Sequence, residues 1–368
     1  MRAHVPIERL SVSAYTIPTD EPEADGTLEW DKTTLLVVEL DAGNKHGIGY
    51  SYADASAVQL IAQTLKSQVI GQDALRIMAI WSSLVARVRN LGRPGVASTA
   101  ISAIDIALWD LKAKLLDQPL FLLLGATRDR VPIYGSGGFT SYSIERLQKQ
   151  LGGWAERGIA RVKMKVGQKP ERDLDRVRAA RAAIGARTEL FVDANGAYTV
   201  AQARAMADGF AESGVTWFEE PVSSDNLEGM RWVRAHAPAG MEIAAGEYGY
   251  DAHYFKRMLA SQAIDVLQAD ATRCTGVTGF LQAAALCEAF DVPLSAHTAP
   301  SIHAHLCCAV GRARHVEYFH DHVRIERMLF DGALEPDGGT LAPSRARAGL
   351  GIDFKHSDAS KYRVGGSE

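Results

Sequence analysis

From about residue 131 onward, short apolar runs alternate with longer stretches in which apolar positions recur every three to four residues. Runs of strand length that end in a polar residue or glycine, each followed by an amphipathic segment, are the pattern of βα units. Eight such runs follow one another: VPIYGSG, RVKMKVG, ELFVDANG, VTWFEEP, EIAAGE, IDVLQAD, VPLSAHT and HVEYF. Eight successive βα units close most economically into an α/β fold, a (β/α)8 (TIM-type) barrel, with functional residues at the C-terminal ends of the strands.

The first 125 residues have a different texture. IERLSVSAYTI and TTLLVVEL have the β-branched and aliphatic content of strands in a small antiparallel sheet. Between them, PTDEPEADGTLEWDK is rich in Pro, Asp and Gly, which predicts a long loop of the kind that forms a lid or binding loop. Ile101, Ile104, Leu108, Leu111 and Leu115 recur at helical spacing, so AISAIDIALWDLKAKLL is expected to be a helix with one buried stripe. The turn-rich tail is expected to return to the first unit. The chain therefore divides into residues 1–125, an α+β unit carrying the lid, residues 126–330, the barrel, and residues 331–368, the returning tail.

Composition narrows the partners. With 47% hydrophobic residues, a net charge of −4 and no long basic run, the chain has no nucleic-acid footprint, and a small molecule is the expected partner. Four cysteines without paired spacing argue against a disulfide framework or a zinc site and fit a reduced, cytoplasmic protein. The N-terminus has no secretory pattern, and no segment approaches the roughly 18 apolar residues of a membrane span. No membrane partner is expected.

The chemistry stands at the ends of the runs, at Ser136, Lys165, Asp193, Glu219, Glu247, Asp270, His297 and Glu317. Asp193, Glu219 and Glu247 come from neighbouring strands and would converge. Three such carboxylates repel one another unless a cation compensates them, and an all-oxygen set favours Mg2+ over Zn2+. Each acid by itself could instead cap the helix after its strand, but the ordered set argues for the metal. Glu220 is expected to face away from Glu219 if the strand continues, as an acid supporting the site. Lys163 and Lys165 share one strand face just before the carboxylates. A lysine beside a second lysine and a dication has its neutral form favoured, as a base requires. His297 can pair with Asp270 as a dyad on the opposite side, where the carboxylate fixes the imidazole tautomer. Glu317 completes the ring as a proton donor or hydrogen-bond partner.

Histidines and cysteines also crowd HVEYFHDH and SIHAHLCC, but their spacing fits no metal set, and no second metal site is expected. GSGG lacks the following lysine of a phosphate loop. YGSGGFTSYS reads as a polar pocket wall or as a turn leading to a helix capped by Ser143. Arg273 and, less directly, His46 could reach a substrate carboxylate, while Tyr248 and Tyr250 are placed to line the mouth.

KMK, DAN, EEP, the Glu of AGE, the Asp of QAD, the His of SAH and the Glu of HVEY stand in an order and spacing that resembles the enolase superfamily. The resemblance is to its mandelate racemase-like subgroup (the mandelate racemase/muconate lactonizing enzyme family), and it extends over nearly the whole chain. It implies a barrel modified to (β/α)7β, with an N-terminal α+β capping domain completed by the C-terminal tail. It implies one Mg2+ on Asp193, Glu219 and Glu247, Lys165 as an acid/base, Lys163 as its modulator and carboxylate contact, and the His297/Asp270 dyad opposite. Asn195 matches a position that supports metal or substrate, and relatives of this type assemble as homo-oligomers. The expected reaction is abstraction of the proton α to a carboxylate, then loss of a β-hydroxyl from an acid sugar, with Ser136 and the Trp30-bearing lid as substrate contacts. A racemase, epimerase or cycloisomerase would use the same residues, and a metal-binding protein without catalysis is the remaining alternative.

Overall fold

The structure is a computed structural model that describes residues 4–367. Its N-terminal unit is an antiparallel sheet of β1 (Arg9–Ala24), β2 (Glu29–Ala42) and β3 (Lys45–Tyr52). The final segment, Arg363–Ser367, adds a fourth strand on the outer side of β1, with Val12 opposite Ser367. The tail thus ends in the first unit's sheet.

The segment expected to be a loop is the far end of the β1–β2 hairpin. Pairing continues to Glu23 opposite Trp30 and Ala24 opposite Glu29, after a register shift between Pro18 and Glu23. Turn-forming residues obscured the strand because the irregularity absorbs several of them and only Asp25–Leu28 make the turn. That tip lies on the barrel: Thr140 N–H donates to Ala24 O at 2.8 Å, and its hydroxyl donates to Asp25 O at 2.8 Å. At Gly26 the approach is so close that a Cβ would stand 2.3 Å from Ala194 O.

The long helix Val96–Leu115 forms where apolar periodicity predicts it, but it is buried on nearly every side rather than along one stripe. It is sandwiched between the sheet and the barrel. Its two aspartates explain why polar residues survive there. Asp110 accepts Ile48 N–H at 2.8 Å and Leu350 N–H at 2.7 Å, while Asp105 accepts the backbone and hydroxyl of Thr278 at 2.9 and 2.8 Å. Both satisfy backbone groups of other elements, which costs less than leaving those groups unpaired in the interior.

Eight parallel strands form the barrel: β4 (Val131–Gly137), β5 (Arg161–Lys165), β6 (Glu189–Asp193), β7 (Val215–Glu219), β8 (Glu242–Ala245), β9 (Val266–Ala269), β10 (Leu294–Ala296) and β11 (Ala313–Phe319). Pairing of β11 with β4, from Val316 opposite Ile133 to Phe319 opposite Ser136, closes the cylinder. Each strand is followed by a helix, the last being His320–Leu329. Strand periodicity sends Ile133, Val162, Met164, Leu190, Val192 and Phe218 outward into the main core. The alternate positions Tyr134, Phe191, Trp217, Ala244 and Val266 fill the barrel interior, where Phe191 and Trp217 stack at 5.0 Å. This aromatic floor closes the barrel below the strand ends. Among the described residues, no helix is long and apolar enough to cross a membrane.

Candidate active site

The register of the strands brings the acids and lysines to one level. Lys165 pairs with Asp193, and Asp193 with Glu219, so side chains two residues above the aromatic floor project together into the mouth. Glu247 lies beyond β8 and reaches the same point because Gly246, at φ 136°, turns the chain there. A Cβ on Gly246 would stand 2.1 Å from Gln268 O, so glycine is required. Asp193, Glu219 and Glu247 are all buried, and each offers an oxygen within 4.8 Å of the others. A buried all-oxygen set of this kind fits Mg2+.

The protein's own cations partly offset these charges. Lys163 Nζ lies 2.5 Å from Glu219 Oε1, 2.8 Å from Glu317 Oε1 and 3.4 Å from Asp193 Oδ2. Lys165 Nζ lies 2.5 Å from Asp193 Oδ2 and donates to Asn195 Oδ1 at 3.1 Å. Trp217 Nε1–H donates to Glu219 Oε2 at 3.0 Å, and Ser136 Oγ–H to Glu317 Oε1 at 2.6 Å. Across the mouth, His297 Nδ1 meets Asp270 Oδ2 at 2.9 Å, while Nε2 lies 3.1 Å from Glu247 Oε2 and 3.7 Å from Glu317 Oε2. Asp270 is itself fixed by the backbone and hydroxyl of Thr272, both at 2.7 Å.

Burial is the largest influence on each of these groups, and neighbouring charges decide the direction. Burial and Asp193 push Glu219 up to about 8. His297 and Arg273 outweigh burial at Glu247 and hold it well below the usual carboxylate range, while Lys163 and His297 bring Glu317 down to about 2. The acids Glu247 and Glu317 raise His297 to about 9, and its hydrogen bond keeps Asp270 ionised. Lys163 and Lys165 both move above the ordinary lysine value, because Glu219 and Glu317 for the first, and Asp193 for the second, outweigh burial. The neutral form expected beside a second lysine and a dication is not favoured by the protein's own charges alone, because each ammonium has a nearer carboxylate.

Two expectations need correction. Strand β7 stops at Glu219, and Glu220 takes φ 39°, so it does not simply alternate to the outer face. It is buried, its Oε1 has no hydrogen-bond partner, and after burial Glu247 and Asp193 are the strongest influences raising it well above the carboxylate range. Trp30 spends its indole N–H inside the lid, donating to Glu23 Oε2 at 2.9 Å, and its ring meets Phe139 edge-on at 5.7 Å. It therefore braces the lid rather than offering that N–H to a ligand. Arg273 lies beside the dyad, with Nη1 3.4 Å from Glu247 Oε1, Nε 3.7 Å from Asp270 Oδ2 and its guanidinium over Tyr248. His46 is held by Asp41 and Glu39 on the cap sheet. Ser143 is a helix N-cap, accepting Arg146 N–H.

Some participants left no motif. Thr298 N–H donates to Glu317 Oε2 at 3.2 Å from a left-handed backbone, and Ala299 after it is also left-handed. Such φ values in non-glycine residues are strained and recur at functional sites. His303 accepts Ala271 N–H on Nε2 at 2.8 Å and donates from Nδ1 to Thr298 O at 2.7 Å, tying together the loops that carry Asp270 and His297.

Comparison with known proteins gives a consistent picture. Residues 18–125 match the mandelate racemase / muconate lactonizing enzyme N-terminal domain, and residues 146–359 match the enolase C-terminal domain-like family. The 3,6-anhydro-alpha-L-galactonate cycloisomerase of Streptomyces coelicolor is 31% identical over 95% of this chain and 98% of its own. The crystal structure of a mandelate racemase/muconate lactonizing enzyme-like protein from Rubrobacter xylanophilus superposes with a TM-score of 0.96 and 53% identity, over 98% of this chain and 100% of its own. An L-talarate dehydratase from Polaromonas sp. JS666, complexed with Mg and L-glucarate, superposes with a TM-score of 0.90 and 30% identity, over 99% of this chain and 98% of its own.

Proposed function

The chain belongs to the mandelate racemase/muconate lactonizing enzyme family of the enolase superfamily, and from that premise we propose that it is a Mg2+-dependent acid-sugar dehydratase. The observation that carries this reading is the pair of proton-transfer groups facing one carboxylate triad from two sides: Lys165 against Asp193, and His297 against Glu247. Asp193, Glu219 and Glu247 would hold Mg2+, which supplies positive charge to stabilise the enediolate that forms when a proton leaves the carbon α to a carboxylate.

In this reading Lys165, whose neutral form would be favoured once a dication offsets Asp193, takes the α proton, and Lys163 beside it holds the substrate carboxylate. His297 enters protonated, as its raised pKa favours, and gives its proton to the β-hydroxyl as the Cβ–O bond breaks. Water leaves, and the resulting enol tautomerises to a 2-keto acid. Glu317, ionised and accepting from Ser136 and Thr298, holds Lys163 in place at the substrate carboxylate, and Asn195 steadies Lys165. Arg273, Ser136 and Glu220 stand around the same volume. The first unit with its lid selects the substrate, and the barrel does the chemistry. Dehydratase relatives such as the L-talarate dehydratase support an acid-sugar substrate. Homo-oligomeric assembly and a cytoplasmic setting belong to the same reading, on the family resemblance.

The similarity to a cycloisomerase favours one second reading, in which the same bases isomerise the substrate. A library of aldonates and aldarates incubated with the enzyme and Mg2+ separates the two. A 2-keto acid from at least one of them is the expected result. Deuterium entering recovered substrate in D2O, with no keto acid from any member, would move the assignment to the isomerase.

A further inference from the structure

A second set of ligating side chains meets away from the triad, where the lid touches the last barrel strand. Asp20 and Glu23 come from β1, and His320 opens the helix that follows β11. One oxygen of each acid and an imidazole nitrogen lie within 4.8 Å of one another. Residues three apart on a regular strand would face opposite sides, but the register shift between Pro18 and Glu23 allows both acids to face His320. Asp20 and His320 are already in contact, with Nε2 3.1 and 3.0 Å from the two carboxylate oxygens.

Glu23 is the member that points to a ligand. It is 0% exposed; Oε2 accepts the Trp30 N–H, and Oε1 is buried without a hydrogen-bond partner. Among the described residues, no lysine, arginine or histidine makes an ion pair with it. Burial, then Asp321 and Asp20, push its carboxyl up to about 9. The cations nearby do not reach Glu23: Arg146 lies 3.4 Å from Asp20 Oδ2 and 3.1 Å from Glu21 Oε1, and Arg324 binds Asp321 and Pro18 O. A buried carboxylate in such company is costly: it must hold a proton, or a cation must take the proton's place.

We propose that Asp20, Glu23 and His320 form a second divalent-metal site, distinct from the triad, that fastens the lid to the barrel. An imidazole with two carboxylates suits Zn2+ or Mn2+ better than Mg2+, which prefers oxygen alone. The site uses none of the triad's residues, so it stands or falls independently of the reaction proposed above.

Equilibrium dialysis of the full-length protein against Zn2+ or Mn2+, read by elemental analysis, tests it. The wild type should hold two ions per chain. Asp193→Asn, His320→Asn and Glu23→Gln should each hold one, and the Asp193→Asn/His320→Asn double variant none. In the wild type saturated with Mg2+, added Zn2+ should further raise the melting temperature, and it should not do so in His320→Asn. A single wild-type ion that is lost in His320→Asn but kept in Asp193→Asn supports the site and counts against the triad, whereas a single ion lost only in Asp193→Asn overturns the site. So does a folded His320→Asn or Glu23→Gln protein that binds as many ions as the wild type.

Discussion

Asp270 accepts from Thr272 on one oxygen and from His297 on the other, so its two faces are not interchangeable. In Asp270→Asn, the Thr272 N–H must keep an acceptor, which turns the new amide N–H2 toward His297 Nδ1 and drives the imidazole proton onto Nε2. The expected result is a fall in kcat of roughly 10²–10⁴-fold with unchanged circular dichroism, because general acid–base contributions are of that size. Steady-state assays on whichever acid sugar the library identifies would check it. An unchanged kcat would remove the dyad from the mechanism. The triad, the lysines and the dyad were legible in the sequence because each closes an apolar run, and strand alternation fixes which residue faces inward. His303 was not legible: its partners lie 32 and 5 residues away, and only the packing of the Pro300–Ala309 helix reveals that it joins two loops. For Lys163 and Lys165 the spacing shows that they share a face, but not that each has a carboxylate nearer than the other lysine, which is why the protein's own charges raise both.

At the scale of elements, the lid hairpin and the cap–barrel seam behave differently from their sequence appearance. Gly26 faces Ala194 O and Val166 O at 2.3 and 2.7 Å from any added Cβ, and backbone atoms on strand ends cannot give way as a flexible side chain does. Gly26→Ala should therefore lift the lid tip, raising KM and lowering kcat together and speeding proteolysis within residues 25–28, with little change in melting temperature. Kinetics identical to the wild type would show that the tip is not part of the closed site. At the seam, Glu326 accepts from Tyr50 on β3 at 2.6 Å and from Ser301 of the barrel, yet burial pushes its carboxyl up to about 7. The folded protein therefore keeps a proton that the unfolded chain loses near the ordinary carboxylate value of 4.5. Stability from this group is full below that value, falls as pH rises, and levels off above about 7. Relative to Glu326→Gln, which cannot ionise, the wild type should lose roughly 3 kcal/mol between pH 4.5 and 8 in denaturant titrations, following the linkage of pKa to stability. Parallel pH profiles for the two proteins would refute this. Nothing in the sequence singled out Glu326, because its burial arises only when β3 and the helix after β10 meet.

For the whole molecule, the triad that the proposed reaction needs for its metal works against stability. Three buried carboxylates within 4.8 Å face two lysines, one of which is shared with Glu317, and Glu220 adds a fourth acid without a partner for Oε1. Any such concentration of like charge favours unfolding, where water solvates each acid separately. A divalent ion that binds only the folded chain reverses this by mass action, by about 2.7 kcal/mol at one hundred times its Kd. Melting curves should therefore rise steadily with Mg2+ and fall with a chelator. Asp193→Asn should respond far less to Mg2+, yet melt above the wild type when both are chelated, because one repelling charge is gone while Lys165 can still donate to the amide oxygen. If chelated Asp193→Asn instead melts well below the wild type, the Lys165–Asp193 pair contributes more to stability than the repulsion removes, and the lysines hold the barrel mouth together. The two outcomes separate a site that is strained until its metal binds from one whose ion pairs already balance.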